Sequence, residues 1–520
     1  MIKELNELVW YAEKSLWRDE ALLGFLCKNK PEVLQLYNLI QKHHFKSDEE
    51  AAKSIGLCLT TYKKYAKALK VHLQDMVFFY NEEKARADLR LKNLFEGIKD
   101  LGAMRLLYAR GCKLASKEVA ESLLKRGLLY DWPDFVQYAA LYLRDCALRV
   151  SGNEKEFEYY ANLYHQYKGW ADLENQAWEY VQRTQLPYRR KTGARQVKPE
   201  QTRRYIRILQ EHVDTAPSIM FHIYFYLLNN QYFLETYDHT ALLKNSNKAL
   251  AYLENKPYQI NNLQAAFHYM KVIAYTYLGN YEEGEQAAQT GLSLAAEGTA
   301  SWFSAQEVYL YLSLHTCNYE KAFSVYLQVY THRRFVALHA AQQELWHILG
   351  AYCYILHHLT GIPLPAGFPT YKSGKFLNGI QNYHNDKDGM NIAILIAHFI
   401  LQLLEGKDIA VWDRIAALAK YRERYLMDDP FVARSEIFIK MLILLVKTGF
   451  QRAVFLEKLS PLLDELRKLP LQLTNQAHEL EIVPYENLIH LITNQLSKRG
   501  GFITRAQPGV RSAEQQWMRV

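Results

Sequence analysis

The stretch that decides the fold runs from Ala265 to Leu294 and reads AAFHYMKVIAYTYLGNYEEGEQAAQTGLSL. Apolar residues recur in it at steps of three and four, which is the period of a helix with one buried face. Gly279 and Asn280 interrupt this period in the middle, where a tight turn needs a residue that tolerates a left-handed backbone. The stretch therefore predicts two helices joined by a short turn, the second beginning at Tyr281.

The same pattern recurs further along the chain. The sequence CNYEKA at residues 317–322 repeats the turn, with Tyr319 in the place of Tyr281, and a third copy opens at Trp346 with Leu349 and Gly350. These residues resemble the tetratricopeptide repeat family, in which antiparallel helix pairs of about 34 residues interlock small and large residues. The resemblance implies an all-α fold, a right-handed α-solenoid of stacked antiparallel helix pairs with an N-terminal helical region. A generic helical bundle is the alternative.

Helix-rich blocks alternate with irregular ones along the chain. The expected segments are an N-terminal helical region at 1–90, tetratricopeptide-like repeats at 91–360 with a basic linker at 186–200, a Pro/Gly-rich loop at 361–389, C-terminal helical hairpins at 390–498 and a disordered tail at 499–520. Proline is tolerated in the first turn of a helix and breaks its interior. The prolines predicted to mark the beginning or end of a helix are Pro133, Pro257, Pro430, Pro461 and Pro470.

The composition is that of a globular protein too long for one compact core. The 520 residues are 49% hydrophobic and 23% charged, so several domains or a repeat array are expected. The formal net charge of +8, from 63 Lys and Arg against 55 Asp and Glu, permits an acidic partner without requiring one. The six widely spaced cysteines predict reduced, mostly buried thiols and a cytoplasmic location.

The most apolar run, residues 391–404, is too short to span a bilayer, so it is predicted to be a buried helix. No membrane partner is therefore expected.

The family resemblance also implies a partner-binding groove. Tetratricopeptide proteins bind extended peptides or partner helices along the first helix of each pair. The residues placed there by the matching register are Tyr269, Ile273, Thr276, Glu307, Tyr311, Leu314, His347 and Tyr354. The Lys, Asn and Arg of the family's clamp for C-terminal carboxylates are missing at these positions, so that function is not expected. The alternative is that these residues pack between helices.

Near the N-terminus, SDEEAAKSIGLCLTTYKKYAKALK resembles a helix-turn-helix. Ser47 and Glu50 form a capping-box pattern at the start of the first helix. Ala52 and Gly56 supply the small residue and the turn glycine at a four-residue step. The stretch Ser47–Lys70 is therefore predicted to form two helices around a tight turn.

The second helix of this motif is predicted to be capped by Thr60 or Thr61. In DNA-binding members such a helix lies in the major groove, where lysines contact phosphates. The lysines predicted to do so are Lys63, Lys64, Lys67 and Lys70. The helix lacks Arg, Asn and Gln residues that would read base edges, so an ordinary helix hairpin is the alternative.

A second basic cluster covers Arg183–Arg207. Its predicted phosphate contacts are Arg189, Arg190, Lys191 and Arg195. Such a run could hold phosphates or an acidic protein, and the alternative is a solvated linker followed by an exposed helix face.

Sequence signatures of catalysis are missing. The chain has no Gly-rich phosphate loop, no His-Glu-x-x-His and no Gly-x-Ser-x-Gly. We therefore expect no catalytic residue, no metal, no cofactor and no small-molecule substrate.

The leading hypothesis is an intracellular, non-catalytic scaffold or adaptor that binds a protein or peptide partner. The alternative is a nucleic-acid-linked regulator that contacts DNA or RNA through Ser47–Lys70 or Arg183–Arg207. The oligomeric state is not predicted.

Overall fold

The structure, a computed structural model, describes residues 1–14, 31–43, 45, 47–79, 89–189, 199–380, 390–426, 433–471 and 481–498. Within these ranges the chain forms 22 α-helices and no strand. The prediction of an all-α fold is confirmed. Across the described part of the chain, no helix is both long enough and apolar enough to cross a membrane.

The chain divides into two compact units. The first unit comprises Met1–Asp172 with the short segments Pro217–Ile219 and Pro257–Ile260. Its helices are α1 (Ile2–Lys14), α2 (Pro31–Lys42), α3 (Asp48–Ser54), α4 (Leu59–Met76), α5 (Leu89–Ala109), α6 (Lys113–Leu129), α7 (Pro133–Cys146) and, up to Asp172, the start of α8 (Glu154–Arg189).

The first four helices share one apolar core, to which α1 contributes Leu5, α2 contributes Leu36 and α4 contributes Leu69. The N-terminus is tied to α3, because the backbone N–H of Ile2 donates to Oδ1 of Asp48 over 2.8 Å. These contacts hold α3 and α4 in a fixed arrangement.

Helices α5, α6 and α7 form an antiparallel layer. The hydroxyl of Ser116 at the start of α6 donates to the carbonyl of Met104 near the end of α5, over 3.0 Å. Gly127 allows α6 to approach α7 closely, since a Cβ there would lie 2.8 Å from a methyl group of Val136. After α7 the chain forms a π-helix at Ala147–Ser151 and then enters α8.

The second unit comprises Leu173–Ala216, Met220–Lys256 and Asn261–Val520. Its helices after α8 are α9 (Pro199–Gln210), α10 (Ile219–Glu235), α11 (His239–Glu254), α12 (Asn261–Leu278), α13 (Tyr281–Leu294), α14 (Ala300–His315), α15 (Tyr319–Tyr330), α16 (Ala340–Thr360), α17 (Ser373–Asn378), α18 (Met390–Leu404), α19 (Asp408–Tyr425), α20 (Ala433–Lys447), α21 (Arg452–Arg467) and α22 (Tyr485–Lys498).

The two helices predicted from Ala265–Leu294 are present as α12 and α13. Gly279 makes the turn between them with a φ of 68°, and α13 begins at Tyr281 as predicted. The next pair, α14 and α15, is joined by a turn in which Cys317 has a φ of 62°. Helix α12 packs against both α13 and α14. Gly284 on α13 permits the close approach of α13 to α14, because a Cβ there would lie 2.8 Å from the methyl groups of Leu312.

One continuous apolar core runs from α12 to α22. Helix α18 lies inside it with both faces buried, which confirms the buried helix predicted at residues 391–404. An ion cluster crosses this core: the guanidinium of Arg434 on α20 bonds to both oxygens of Glu481 and to Glu486 on α22. The Nε2 of His315 at the end of α14 lies 2.8 Å from the carbonyl oxygen of Glu481. The segment before α22 therefore fastens α14, α20 and α22 together.

Several predicted boundaries differ from the structure. The linker predicted at 186–200 is helical at both ends, since α8 continues to Arg189 and α9 begins at Pro199; residues 190–198 lie outside the described residues. The loop predicted at 361–389 contains the short helix α17, and its residues 381–389 lie outside the described ranges, as does the tail at 499–520.

Three of the five boundary prolines stand where they were predicted, Pro461 does not, and Pro430 lies outside the described residues. Pro133 opens α7, Pro257 follows α11 and Pro470 follows α21, whereas Pro461 lies inside α21. Proline lacks the N–H that would bond to the carbonyl four residues earlier. Because Pro461 is exposed, water can bond to that carbonyl instead, and the helix continues.

The prediction that the thiols are mostly buried was wrong for the described cysteines. Cys58, Cys112 and Cys317 are exposed and only Cys146 and Cys353 are buried. The exposed ones lie at turns between helices, which wide sequence spacing does not reveal.

Candidate functional site

The predicted helix-turn-helix is present as α3, a turn and α4. Ser47 caps α3, because its hydroxyl accepts a hydrogen bond from the backbone N–H of Glu50 over 3.2 Å. Gly56 makes the turn with a φ of 72°. The N-cap of α4 is Cys58. The prediction of a threonine cap was therefore wrong, because α4 starts at Leu59 and Thr60 and Thr61 lie within its first turn.

One face of α4 is fixed in the core of the N-terminal helices. Tyr62, Ala66 and Leu69 on this face are each 0% exposed. The hydroxyl of Tyr62 donates to Oδ1 of Asp48 on α3 over 3.2 Å, and burial raises the pKa of Tyr62. This packing determines which residues α4 turns toward solvent.

The opposite face of α4 is basic. Lys63, Lys64 and Lys67 are exposed on it. Lys70 forms an ion pair with Glu4 on α1, and the hydrogen bond from Lys70 lowers the pKa of that carboxyl. Three of the four predicted lysines therefore share one solvent-facing surface, the basic face of α4, and the fourth is neutralised by α1.

The second basic cluster is only partly described. Arg183 on α8 pairs with Glu179 one turn earlier. Tyr205 on α9 stacks on Tyr180 of α8, with ring centroids 4.1 Å apart. The exposed arginines of α9 are Arg203, Arg204 and Arg207. Among the predicted contacts, Arg190, Lys191, Arg195 and the side chain of Arg189 lie outside the described residues.

The predicted groove is mostly closed within its first two pairs. Tyr269 and Ile273 are half-buried and lie one turn apart on α12. Thr276 is in the packed interior, where its hydroxyl donates to the carbonyl of Val272 over 2.8 Å, and Leu314 is 0% exposed. Of these four residues, only Tyr269 and Ile273 therefore offer surface to a partner.

Glu307 and Tyr311 lie on α14, which is almost entirely buried. The side chain of Glu307 is 9% exposed, and its Oε1 has no hydrogen-bond partner in the described part of the chain. Burial raises the pKa of this carboxyl to about 7. Glu307 is therefore the residue of the predicted groove whose charge depends on pH near neutrality.

Exchanging Glu307 for glutamine is expected to remove a pH-dependent loss of stability. The raised pKa means that the folded chain holds this proton more tightly than the unfolded chain, in which glutamate titrates near 4.5. The free energy of unfolding is therefore highest below about pH 4.5, where both states hold the proton. It falls as the pH rises to about 7, because in that range only the unfolded chain loses the proton. Between about pH 5 and pH 7.5, the free energy of unfolding should shift by about 2 kcal/mol in favour of Glu307→Gln. Urea denaturation of both proteins at several pH values measures this shift. A difference in the free energy of unfolding between wild type and Glu307→Gln that does not change with pH contradicts the prediction.

The third part of the predicted groove is covered by the chain itself. His347 and Tyr354 on α16 contact the ring of Tyr371, at centroid distances of 5.1 and 5.8 Å. Tyr371 belongs to the irregular segment 361–372, and its hydroxyl lies 2.8 Å from that of Tyr326 on α15. Burial lowers the pKa of His347. The Pro/Gly-rich segment therefore occupies this surface.

The packing role of this segment was not predicted from the sequence. Its residues 361–371 read GIPLPAGFPTY, and Phe368 packs against Tyr326 with ring centroids 4.8 Å apart. The signal was the density of apolar and aromatic residues between the prolines, which is unusual for a solvated loop.

Comparisons with known proteins found no match among family models, curated proteins or solved structures. Within the described ranges, no group of three His, Cys, Asp or Glu side chains could hold a metal ion.

Proposed function

We propose that this chain binds duplex DNA through the basic face of α4. The observation that carries the proposal is that Lys63, Lys64 and Lys67 are exposed together, on a helix whose other face is held by Tyr62 and Leu69. A helix fixed in this way against a preceding short helix can enter the major groove as a rigid body. Its lysines would then contact phosphates, which supply most of the affinity for DNA but carry no sequence information.

The charges on α3 limit how the hairpin would lie on DNA. Glu49 and Glu50 are exposed at its first turn, where they would repel phosphates. We therefore place the start of α3 away from the backbone and the first half of α4 against it. Because the first half of α4 presents lysines rather than Arg, Asn or Gln, we expect weak sequence preference.

Exchanging Lys63 and Lys67 for glutamine is expected to weaken binding to a short duplex of mixed sequence about 10-fold at low salt, because two phosphate contacts are lost. The slope of log affinity against log salt should fall by about 2. Fluorescence anisotropy across a salt series measures both quantities.

The matched control exchanges Lys244 and Lys248, which are exposed on α11 at the same four-residue spacing. This double variant changes the net charge equally and should leave the affinity and slope unchanged. Equal losses in both double variants, or no binding by the wild type, would refute a site on α4. Tighter binding of single-stranded RNA than of duplex DNA would reassign the ligand.

A second function, protein or peptide binding by the helix pairs, is favoured by Tyr269 and Ile273. We propose that the pairs stack as a right-handed, tetratricopeptide-like solenoid in a cytoplasmic, non-catalytic adaptor. Tyr269 and Ile273 lie half-exposed on α12. Helix α12 is the first helix of its pair, and it packs directly on α14, the first helix of the next pair. Half-buried aromatic and aliphatic residues of this kind are common anchors at interfaces.

The double variant Tyr269→Ser and Ile273→Ser tests this adaptor proposal. Immobilised wild-type chain should retain a stoichiometric protein from nuclease-treated lysate of the native host, and the variant should not. Leu278→Ser is the control, because Leu278 is 46% exposed at the end of the same helix. Retention of the same protein by all three chains excludes α12 as the binding surface.

A further inference from the structure

Three helices of the first unit present their ends to solvent together. The C-terminal end of α5, the N-terminal end of α6 and the π-helix after α7 meet there because the three helices are antiparallel. The hydrogen bond from Ser116 to Met104 joins α6 to α5. A hydrogen bond from the hydroxyl of Tyr108 to Asp145 joins α5 to α7.

This end carries the most exposed leucines of the described chain. Its apolar patch, which we call the helix-end patch, consists of Leu106 at 71% exposed, Leu114 at 75%, Leu148 at 59% and Val150 at 43%. Single exposed apolar residues are ordinary on protein surfaces, whereas several gathered at one end indicate an interaction site.

Cationic and acidic side chains lie on different helices around the patch. Arg105 and Arg110 are exposed on α5 and on the turn after it, with Lys113 beside them at the start of α6. In the described part of the chain, no acidic side chain forms an ion pair with these three cations. Glu154 and Glu158 are exposed at the start of α8, which packs on α7 where Arg144 lies over the ring of Tyr164.

We propose that the helix-end patch is the interface with a second copy of this chain. A two-fold axis through the patch buries the leucines of both copies against each other. The same rotation can bring the cations of α5 and α6 in one copy toward the acids of α8 in its partner, so one surface supplies both signs of charge. An acidic partner would satisfy only the cations and would be repelled by α8.

An anionic membrane fits this surface less well than a second copy. The four residues of the patch are all aliphatic and include no tryptophan or tyrosine, the residues that anchor proteins at the lipid headgroups. Glu154 and Glu158 would also face the anionic lipids. The four apolar residues are few beside the 20–30 residues a side of a standard interface, so we expect a modest affinity, with a dissociation constant of about 1–10 μM. Dimer formation does not require DNA binding.

Sedimentation equilibrium of the full chain tests the dimer. Wild-type protein at about 10 μM should have a weight-average mass about 1.5 to 1.8 times that of the chain. Leu106→Gln with Leu114→Gln should raise the dissociation constant at least about 100-fold, since four leucines lose their burial. Leu128→Gln with Leu129→Gln is the control, because these leucines are exposed at the opposite end of α6; it should dimerise like wild type.

A charge exchange tests the arrangement within the dimer. Arg110→Glu with Lys113→Glu should weaken association, and adding Glu154→Lys with Glu158→Lys should restore it, because the pairs are then present with reversed sign. Circular dichroism establishes that each variant is folded. A monomeric wild type, a dimer unaffected by the leucine changes, or a failure of the second exchange to restore association overturns the proposal. A monomer that sediments with phosphatidylserine vesicles would assign the patch to a membrane instead.

Discussion

Replacing Arg434 by methionine is expected to lower the free energy of unfolding by about 3–5 kcal/mol, because a buried carboxylate then loses its counter-charge. Arg434 is 7% exposed and Glu481 is 3% exposed. The guanidinium donates from Nε and Nη2 to the two oxygens of Glu481 at 2.8 and 2.9 Å. Its Nη1 donates to the carbonyls of Leu466 and Leu469 at the end of α21. The substitution therefore leaves both a charge and helix-end carbonyls without donors.

Most of this loss of stability should come from the buried charge left on Glu481, and less from the other contacts that Arg434 makes. Adding Glu481→Gln to Arg434→Met removes the buried charge, and the amide oxygen can still accept from the backbone N–H of Tyr485, which donates to Oε1 of Glu481 over 2.6 Å. We expect the double variant to recover part of the lost stability, since replacing both partners of a buried pair costs less than replacing one.

Arg467→Met is the control for the Arg434 variant. Arg467 pairs with Asp464 on the same helix, with both side chains more than 60% exposed, so its removal should change the free energy of unfolding by less than about 1 kcal/mol. Midpoints of urea denaturation compare the three variants with wild type. Equal destabilisation by Arg434→Met and Arg467→Met would contradict the role assigned to the buried cluster.

The local fold was largely predictable, because helix periodicity and turn residues are local signals. The turn at Gly279 and the start of α13 at Tyr281 follow directly from the repeating pattern. The continuation of α8 through residues 186–189 was not predicted, since a cluster of basic residues and Pro187 suggests irregular chain. The earlier turns of α8 are held by tertiary packing, since Tyr180 stacks on Tyr205 of α9, and the helix continues from them.

The candidate site was less predictable, because exposure depends on contacts between distant residues. The spacing of α4 indicated Lys63, Lys64 and Lys67 correctly as surface residues. It could not show that Lys70 pairs with Glu4, which comes from another helix. Likewise, the register that selected His347 and Tyr354 contains no information about Tyr371, which reaches them from a loop.

Replacing Gly350 by alanine is expected to destabilise the second unit by about 2–4 kcal/mol, which approaches the effect of the Arg434 substitution. Gly350 lies on α16, where an added Cβ would overlap the hydroxyl of Tyr371 and the ring of Tyr326. Tyr326 is 0% exposed and Tyr371 is 4% exposed, so neither ring can move into solvent. Overpacking costs about 1–3 kcal/mol, and separating the two hydroxyls adds about 1 kcal/mol or more.

Gly374→Ala separates this clash from the general effect of losing a glycine. Gly374 lies in α17 with nothing within 4 Å of its Cβ position, so alanine there should be neutral or slightly stabilising. The urea midpoint should therefore fall for Gly350→Ala and hold for Gly374→Ala. If both variants unfold like wild type, segment 361–372 does not lie against α16, and His347 and Tyr354 return to the surface available for a partner. A fall confined to Gly350→Ala supports the chain's own loop as the occupant of that part of the groove.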